Sequence, residues 1–206
     1  MGHGKSEPSK DGYSYVKFAK DVTAFLINII KRPVLLFGHS LGGAVAVHVA
    51  ATHPDIVSAL ILSDPALFIE ALNLPIVKEA FPIWRENAAS GKSTIEIFNM
   101  QEAKTAFGRI RAKDFSELDA EVLDYDEKYF EDYDTDSLLS KIECPSLLIY
   151  GNQELGGILS QNQVQRMMSK MPSLVPEYME KSGHAPQRTE AGATFALISD
   201  FIESTD

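Results

Sequence analysis

Ser40 is the residue around which chemistry can be built, because it sits in Gly38-His39-Ser40-Leu41-Gly42, a G-x-S-x-G stretch. The apolar run Val34 to Phe37 precedes it, and a segment of small residues (Gly43, Ala44, Ala46, Ala50, Ala51) follows. An apolar run of strand length with no polar alternation suits a parallel strand buried on both faces. Strand, G-x-S-x-G and helix together are the context of a nucleophile elbow. The glycines two residues before and after Ser40 are expected to leave room for a tight, strained turn. Such a turn lifts the hydroxyl clear of the sheet, above the positive end of the following helix.

A serine hydroxyl is a poor nucleophile until a base removes its proton, and that base needs an orienting acid. The chain offers five histidines. His3 lies in an N-terminal loop, His39 precedes the nucleophile on its own turn and should point away, and His48 and His53 belong to the elbow helix and its far end. His184 alone lies just past a strand's carboxyl end, in the Gly183-containing loop. Two carboxylates compete for the acid. Glu154 follows the strand that ends at Gly151, and Asp64 ends the strand Val57 to Leu62. Both keep the order nucleophile, acid, histidine. Glu154 is preferred, since Asp64 followed by Pro65 can simply begin a turn. The backbone N–H of Leu41 is the expected oxyanion donor.

The elements that must position these groups alternate along the chain. Tyr13 to Lys31 reads as an amphipathic helix, with Val16, Ala19, Val22, Phe25, Leu26, Ile29 and Ile30 on one face. The elbow helix should run to about Thr52, where His53-Pro54 ends it. Ser146 to Tyr150 and Leu174 to Glu180 read as two further strands, with Pro176 suiting a position near the sheet's edge. Helices are expected over Gln161 to Lys170 and Glu190 to Glu203. Between Ala66 and Glu143 apolar residues recur only at helical spacing, so several helices are inserted between two strands, with a short last one over Ser137 to Ile142. The fold class is therefore α/β: a parallel sheet of about four strands, flanked by helices, with its sites at the strands' carboxyl ends.

Composition excludes several functions. A net charge of −10 argues against nucleic acid, whose phosphates require a basic surface. No apolar run reaches membrane-spanning length, and the N-terminus lacks the basic-then-apolar layout of a signal peptide. The single cysteine, Cys144, gives neither a disulfide nor a metal pattern, and a reducing cytoplasm is the expected location. Asp114 to Asp136 holds eleven acids against Lys128 alone, without calcium-loop spacing. That run is expected to be a solvated helical face.

With these motifs in place, the chain resembles the α/β-hydrolase family, in its lidded group of esterases, lipases and C–C hydrolases. Gly2-His3-Gly4-Lys5-Ser6 is similar to the family's G-H-G-x-S segment after its fourth strand. Gly12-Tyr13-Ser14, with Asp21-Val22 and Phe25-Leu26, resembles the helix that follows. Gly38 to Gly43 is the family elbow, Cys144 to Gly151 resembles the strand before the acid, and Ser182-Gly183-His184 resembles the histidine loop. Serine at position 40, where dehalogenases and epoxide hydrolases carry aspartate, argues against those members.

The resemblance implies a serine hydrolase that cleaves a carboxylic ester or related acyl bond of a small molecule. Ser40, His184 and Glu154 would form its triad, with Asp64 as the alternative acid, and it would need no metal or organic cofactor. It also implies a division into a core over 1–65 and 144–206 and a helical lid over 66–143, whose Phe68, Phe81, Trp84, Phe98, Met100 and Phe107 are candidates to line an acyl pocket. The family's earlier strands, including the loop that gives a second oxyanion N–H, have no counterpart here. The sequence therefore reads as a hydrolase core that begins at the G-H-G-x-S segment. Two expectations follow. The strand at Val34 to Phe37 should form an exposed apolar edge prone to self-association. A non-catalytic remnant, or a small-molecule-binding module on the same scaffold, stands as the alternative function.

Overall fold

The computed structural model describes residues 1–100 and 105–205; residues 101–104 of the expected insertion, and residue 206, lie outside. The described chain forms two compact units. One comprises Tyr15–Ala71 with Phe130–Asp206, and the other Met1–Ser14 with Leu72–Tyr129.

The first unit holds the sheet. Its four strands, β1 (Val34–His39), β2 (Val57–Ser63), β3 (Ser146–Gly151) and β4 (Leu174–Met179), are all parallel and lie in the order β1-β2-β3-β4. Burial follows that order. Every residue of the interior strand β3 is buried, whereas the edge strand β4 exposes much of its middle. Pro176, opposite Leu148, lacks the N–H that an interior strand would need, and β4 has no neighbour on its far side to require it. β1 forms the other edge and leaves Phe37 43% exposed.

Helix α1 (Tyr15–Phe25) begins two residues later than its apolar pattern suggests and widens into a π-helical turn over Leu26–Ile30. It stops at Lys31, whose left-handed φ of 58° lets its N–H reach Leu26 O at 2.8 Å. Helix α2 (Leu41–Thr52) has no polar stripe, and eight of its residues are buried. Small side chains let it lie close to both α1 and the sheet, as an internal helix must. On the opposite face, Ala59, Ile61, Leu147, Ile149 and Met179 pack with Phe201 of the closing helix, and Leu197 and Ile198 join them. Each fully buried side chain of this size is worth about 1.5–3 kcal/mol of transfer free energy.

The expected lid boundaries shift once side chains are followed. Ala66–Ala71 and Phe130 onward belong to the sheet unit because aromatic side chains tie them there. Fully buried Tyr15 donates its hydroxyl to Ala66 O at 2.8 Å and meets Phe130 and Tyr133 edge-on, each at 5.0 Å. Tyr133 in turn donates to Ala44 O at 2.8 Å, and Thr135 to Leu67 O at 2.7 Å.

The second unit is helical, with α3 (Phe81–Ala89), α4 (Thr94–Met100) and α5 (Ala106–Ser116). Thr105 caps α5 by accepting from Gly108 N. Met1–Ser14, expected with the sheet, packs here instead. Asp119 N donates to Gly2 O at 2.9 Å, His3 bridges to Leu118, and Tyr13 donates its hydroxyl to Asp119. Burial first, and then the Asp119 carboxylate, push the Tyr13 phenol up to about 12.

The acidic run is not the continuous helical face that its composition suggests. It is broken into turns, and several of its carboxylates are used locally. Asp119 and Asp134 cap the turns that follow them, Asp124 takes Arg85 through two N–H groups, and Asp136 holds Arg166 Nε at 2.8 Å. Among the described residues no helix is long and apolar enough to cross a membrane.

Candidate active site

The site is assembled at the carboxyl ends of β1 and β2. Their register sets His39 opposite Ser63, so the residues one step beyond each strand, Ser40 and Asp64, emerge side by side. Ser40 N donates to Ser63 O at 3.2 Å, and Asp64 N to Ile149 O at 2.8 Å, which fixes both backbones against the sheet. Each residue has a positive φ, 54° at Ser40 and 40° at Asp64. Such backbone costs on the order of 1–3 kcal/mol per residue and persists only where surrounding contacts enforce it.

The steric demands of the elbow fall differently from the motif. A Cβ on Gly38 would collide with the Gly42 carbonyl oxygen, and one on Gly43 would come within 2.5 Å of the Pro65 Cβ. A Cβ on Gly42 would meet nothing within 4 Å. The turn is therefore tight at Gly38 and Gly43. The second glycine of G-x-S-x-G is not the one under pressure.

His184 sits in the loop between β4 and a short helix (Pro186–Thr189), and both of its ring nitrogens are engaged. Nε2 lies 2.9 Å from Ser40 Oγ and Nδ1 lies 2.8 Å from Asp64 Oδ2. The imidazole side chain is 21% exposed, whereas the carboxylate is completely buried. Asp64 Oδ2 also accepts from Ile158 N at 2.9 Å, while Oδ1 is buried with no hydrogen-bond partner among the described residues.

The structure thus brings Ser40, His184 and Asp64 together and leaves Glu154 out, against the sequence-based preference. Glu154 is exposed on a 3₁₀ turn after β3, where its own N–H is bound by the Asn152 side chain at 2.9 Å. Asp64 is fixed directly at the end of β2 by its N–H to Ile149 O, with its carboxylate held by Ile158 N, whereas Glu154 lies three residues past β3 on a turn that leaves its side chain exposed. The signal that could have decided it is that Ser40 and Asp64 each stand immediately past a strand end.

Leu41 is the first residue of α2, where the opening N–H groups have no intrahelical acceptor and the helix dipole is positive. An oxyanion beside Ser40 would meet that end of the helix. Burial pushes the Cys144 thiol upward. His48 is partly buried in α2 at 6.2 Å from the Tyr133 ring, and burial holds its imidazole below the ordinary value. His39 is engaged elsewhere. Its Nε2 lies 2.7 Å from the His184 carbonyl oxygen.

Of the six side chains expected to line an acyl pocket, Trp84, Met100 and Phe107 border a cavity of about 470 Å³ inside the helical unit. Arg111 shares that cavity and lies over the Trp84 ring at 4.7 Å. Phe81 packs on Trp84 and Tyr125 at 5.3 and 5.8 Å. Phe98 is partly buried on α4. Phe68 belongs to the sheet unit, where it is buried beneath Arg166.

Comparison with known proteins agrees with this architecture. Lipase LipV of Mycobacterium tuberculosis is 40% identical over 80 residues, which are 39% of this chain and 30% of that protein. Two pimeloyl-(acyl-carrier protein) methyl ester esterases of Neisseria meningitidis each align with 98% of this chain. The serogroup A protein is 29% identical with 66% of its length matched, and the serogroup C protein 30% identical with 80% matched. The chain thus spans less than two thirds of two of these relatives. Among solved structures, an esterase from Exiguobacterium antarcticum superposes with a TM-score of 0.74 at 21% identity, over 98% of this chain and 78% of its own. An enol-lactonase from Burkholderia xenovorans does so with a TM-score of 0.72 at 19% identity, over the same shares. The sequence profile of the Alpha/beta hydrolase family matches residues 1–197, and the chain belongs to that family.

Proposed function

We propose that this chain is a serine hydrolase that cleaves a carboxylic ester or a related acyl bond, with Ser40 as nucleophile, His184 as base and Asp64 as acid. The observation that carries the reading is the bridging of Ser40 Oγ and Asp64 Oδ2 by the two nitrogens of His184. A carboxylate only accepts, so Asp64 holds the proton on Nδ1 and turns the Nε2 lone pair toward Ser40. The hydroxyl passes its proton to Nε2 as Oγ adds to the substrate carbonyl carbon. The carbonyl electron pair moves to oxygen, where the Leu41 N–H and the start of α2 lie. The imidazolium, stabilised by buried Asp64, then protonates the leaving alkoxide as the tetrahedral adduct collapses to an acyl-serine. Water, deprotonated by the same nitrogen, releases the acid and restores Ser40.

The relatives support the bond type, since two of them are methyl ester esterases. The test is labelling with a fluorophosphonate probe, which requires an activated serine. Ser40 should be the labelled residue, and Ser40→Ala and His184→Ala should both abolish labelling. An unlabelled wild-type chain would favour a binding module on the same scaffold.

A further inference from the structure

His184 needs more than its two side-chain partners, because a ring aimed correctly at Ser40 and Asp64 must hang from a backbone that cannot slide. One contact holds that backbone directly, and a second anchors a side chain of the same loop. His39 Nε2 lies 2.7 Å from the His184 carbonyl oxygen, and the two rings face each other with centroids 4.6 Å apart and planes 39° apart. Ser63, fully buried, donates its hydroxyl to Gln187 Oε1 at 2.9 Å, three residues beyond His184. His39 and Ser63 are register partners at the ends of β1 and β2, immediately before Ser40 and Asp64. The strand ends that present the nucleophile and the acid therefore also grip the loop that brings the base.

We infer that His39 and Ser63 are positioning residues that clamp the His184 loop in register with Ser40 and Asp64. The inference rests on the triad reading above. A carbonyl oxygen only accepts, so His39 must carry its proton on Nε2. Burial holds its imidazole below the ordinary 6.5, with the nearby His184 and Arg188 acting in the same direction and the His184 carbonyl and Asp64 against it. A neutral His39 matters chemically, because His184 becomes a cation during turnover and a second cation 4.6 Å away would oppose it. The separation of tasks is clean: Asp64 sets the tautomer, and His39 sets the position.

The test compares His39→Gln with His39→Asn. Both are neutral amides, but only glutamine is long enough to return an N–H to the His184 carbonyl. A misplacement of about 1 Å at a reacting group can cost about 10²-fold. His39→Asn should lower kcat for p-nitrophenyl butyrate by ten- to a hundredfold with KM unchanged, and slow fluorophosphonate labelling equally. His39→Gln should recover most of that loss, and Ser63→Ala should lower kcat several-fold, again without moving KM. Equal rates for the two amide variants, or a loss confined to KM, would overturn the clamp. Wild-type chain that fails to label at all would overturn the triad reading instead. Should His39→Asn not fold, Ser63→Ala carries the test by the same kcat criterion, and an unchanged kcat there would overturn the proposal.

Discussion

The sharpest test of the site is to neutralise each candidate carboxylate in turn. Asp64 is fully buried, and its Oδ2 receives both His184 Nδ1 at 2.8 Å and Ile158 N at 2.9 Å. Asparagine has the same shape. If its amide oxygen occupies the Oδ2 position, both donors stay paired and only the charge is lost. If the amide turns the other way, its NH₂ faces Nδ1, forces the proton onto Nε2 and leaves no lone pair for Ser40. In either orientation the forming imidazolium has no counter-charge. Loss of a triad acid with geometry intact typically lowers kcat by about 10⁴, or about 5 kcal/mol of transition-state stabilisation. Glu154 is exposed and both ring nitrogens of His184 are engaged by other residues, so Glu154→Gln should change kcat less than about twofold. The assay is hydrolysis of p-nitrophenyl butyrate, or the second-order rate of fluorophosphonate labelling where turnover is too slow, with urea melts to confirm folding. A deep loss in Glu154→Gln alongside an Asp64→Asn within tenfold of wild type would refute the reasoning.

Further outcomes follow from other parts of the molecule. If Ser40 and His184 act as one unit, as proposed, the Ser40→Ala, His184→Ala double variant should lose little more activity than either single variant, and additive losses would separate them. Gly43→Ala should destabilise the fold by about 1–3 kcal/mol through its clash with Pro65, while Gly42→Ala, facing open space, should be near neutral; urea midpoints read both. Folded-state His48 lies below its ordinary value of 6.5, chiefly through burial, so the unfolded chain binds the extra proton first as pH falls. Stability should therefore drop below about pH 6.5 and be restored as pH rises, and His48→Gln should flatten that slope in thermal melts. The β1 edge, with Phe37 exposed, should promote association as concentration rises, and Phe37→Lys should suppress it in sedimentation velocity runs.

Much of the architecture was legible because strands and elbow obey local rules. The apolar runs at Val34 and Val57, and those at Ser146 and Leu174, became the four strands within a residue or two, and Pro176 fell on an edge. Ser40 and His184 were legible from motif and loop position, and the structure brings them together. The acid was legible only in part: Asp64, like Ser40, stands immediately past its strand, but which carboxylate meets His184 is set by how the loop after β4 folds back, a tertiary fact that no local pattern encodes. The His39 contact was not legible for a related reason: its partner is a backbone carbonyl 145 residues away. The fate of Met1–Ser14 rested on contacts such as Tyr13 to Asp119, Asp119 N to Gly2 O and the His3–Leu118 bridge, which carry no periodicity to read.

The placement of the three groups along the chain has a consequence for synthesis. Ser40 and Asp64 ride on one strand–helix–strand segment, β1-α2-β2, whose contacts are local and quick to form. His184 enters from 144 residues beyond Ser40 and can dock only after β3 and β4 have extended the sheet. On the triad proposed above, a nascent chain emerging from the ribosome would hold nucleophile and acid long before it holds a base. Its serine would be inert toward cellular esters and electrophiles until the last strand joins, so reactivity itself would mark the end of folding.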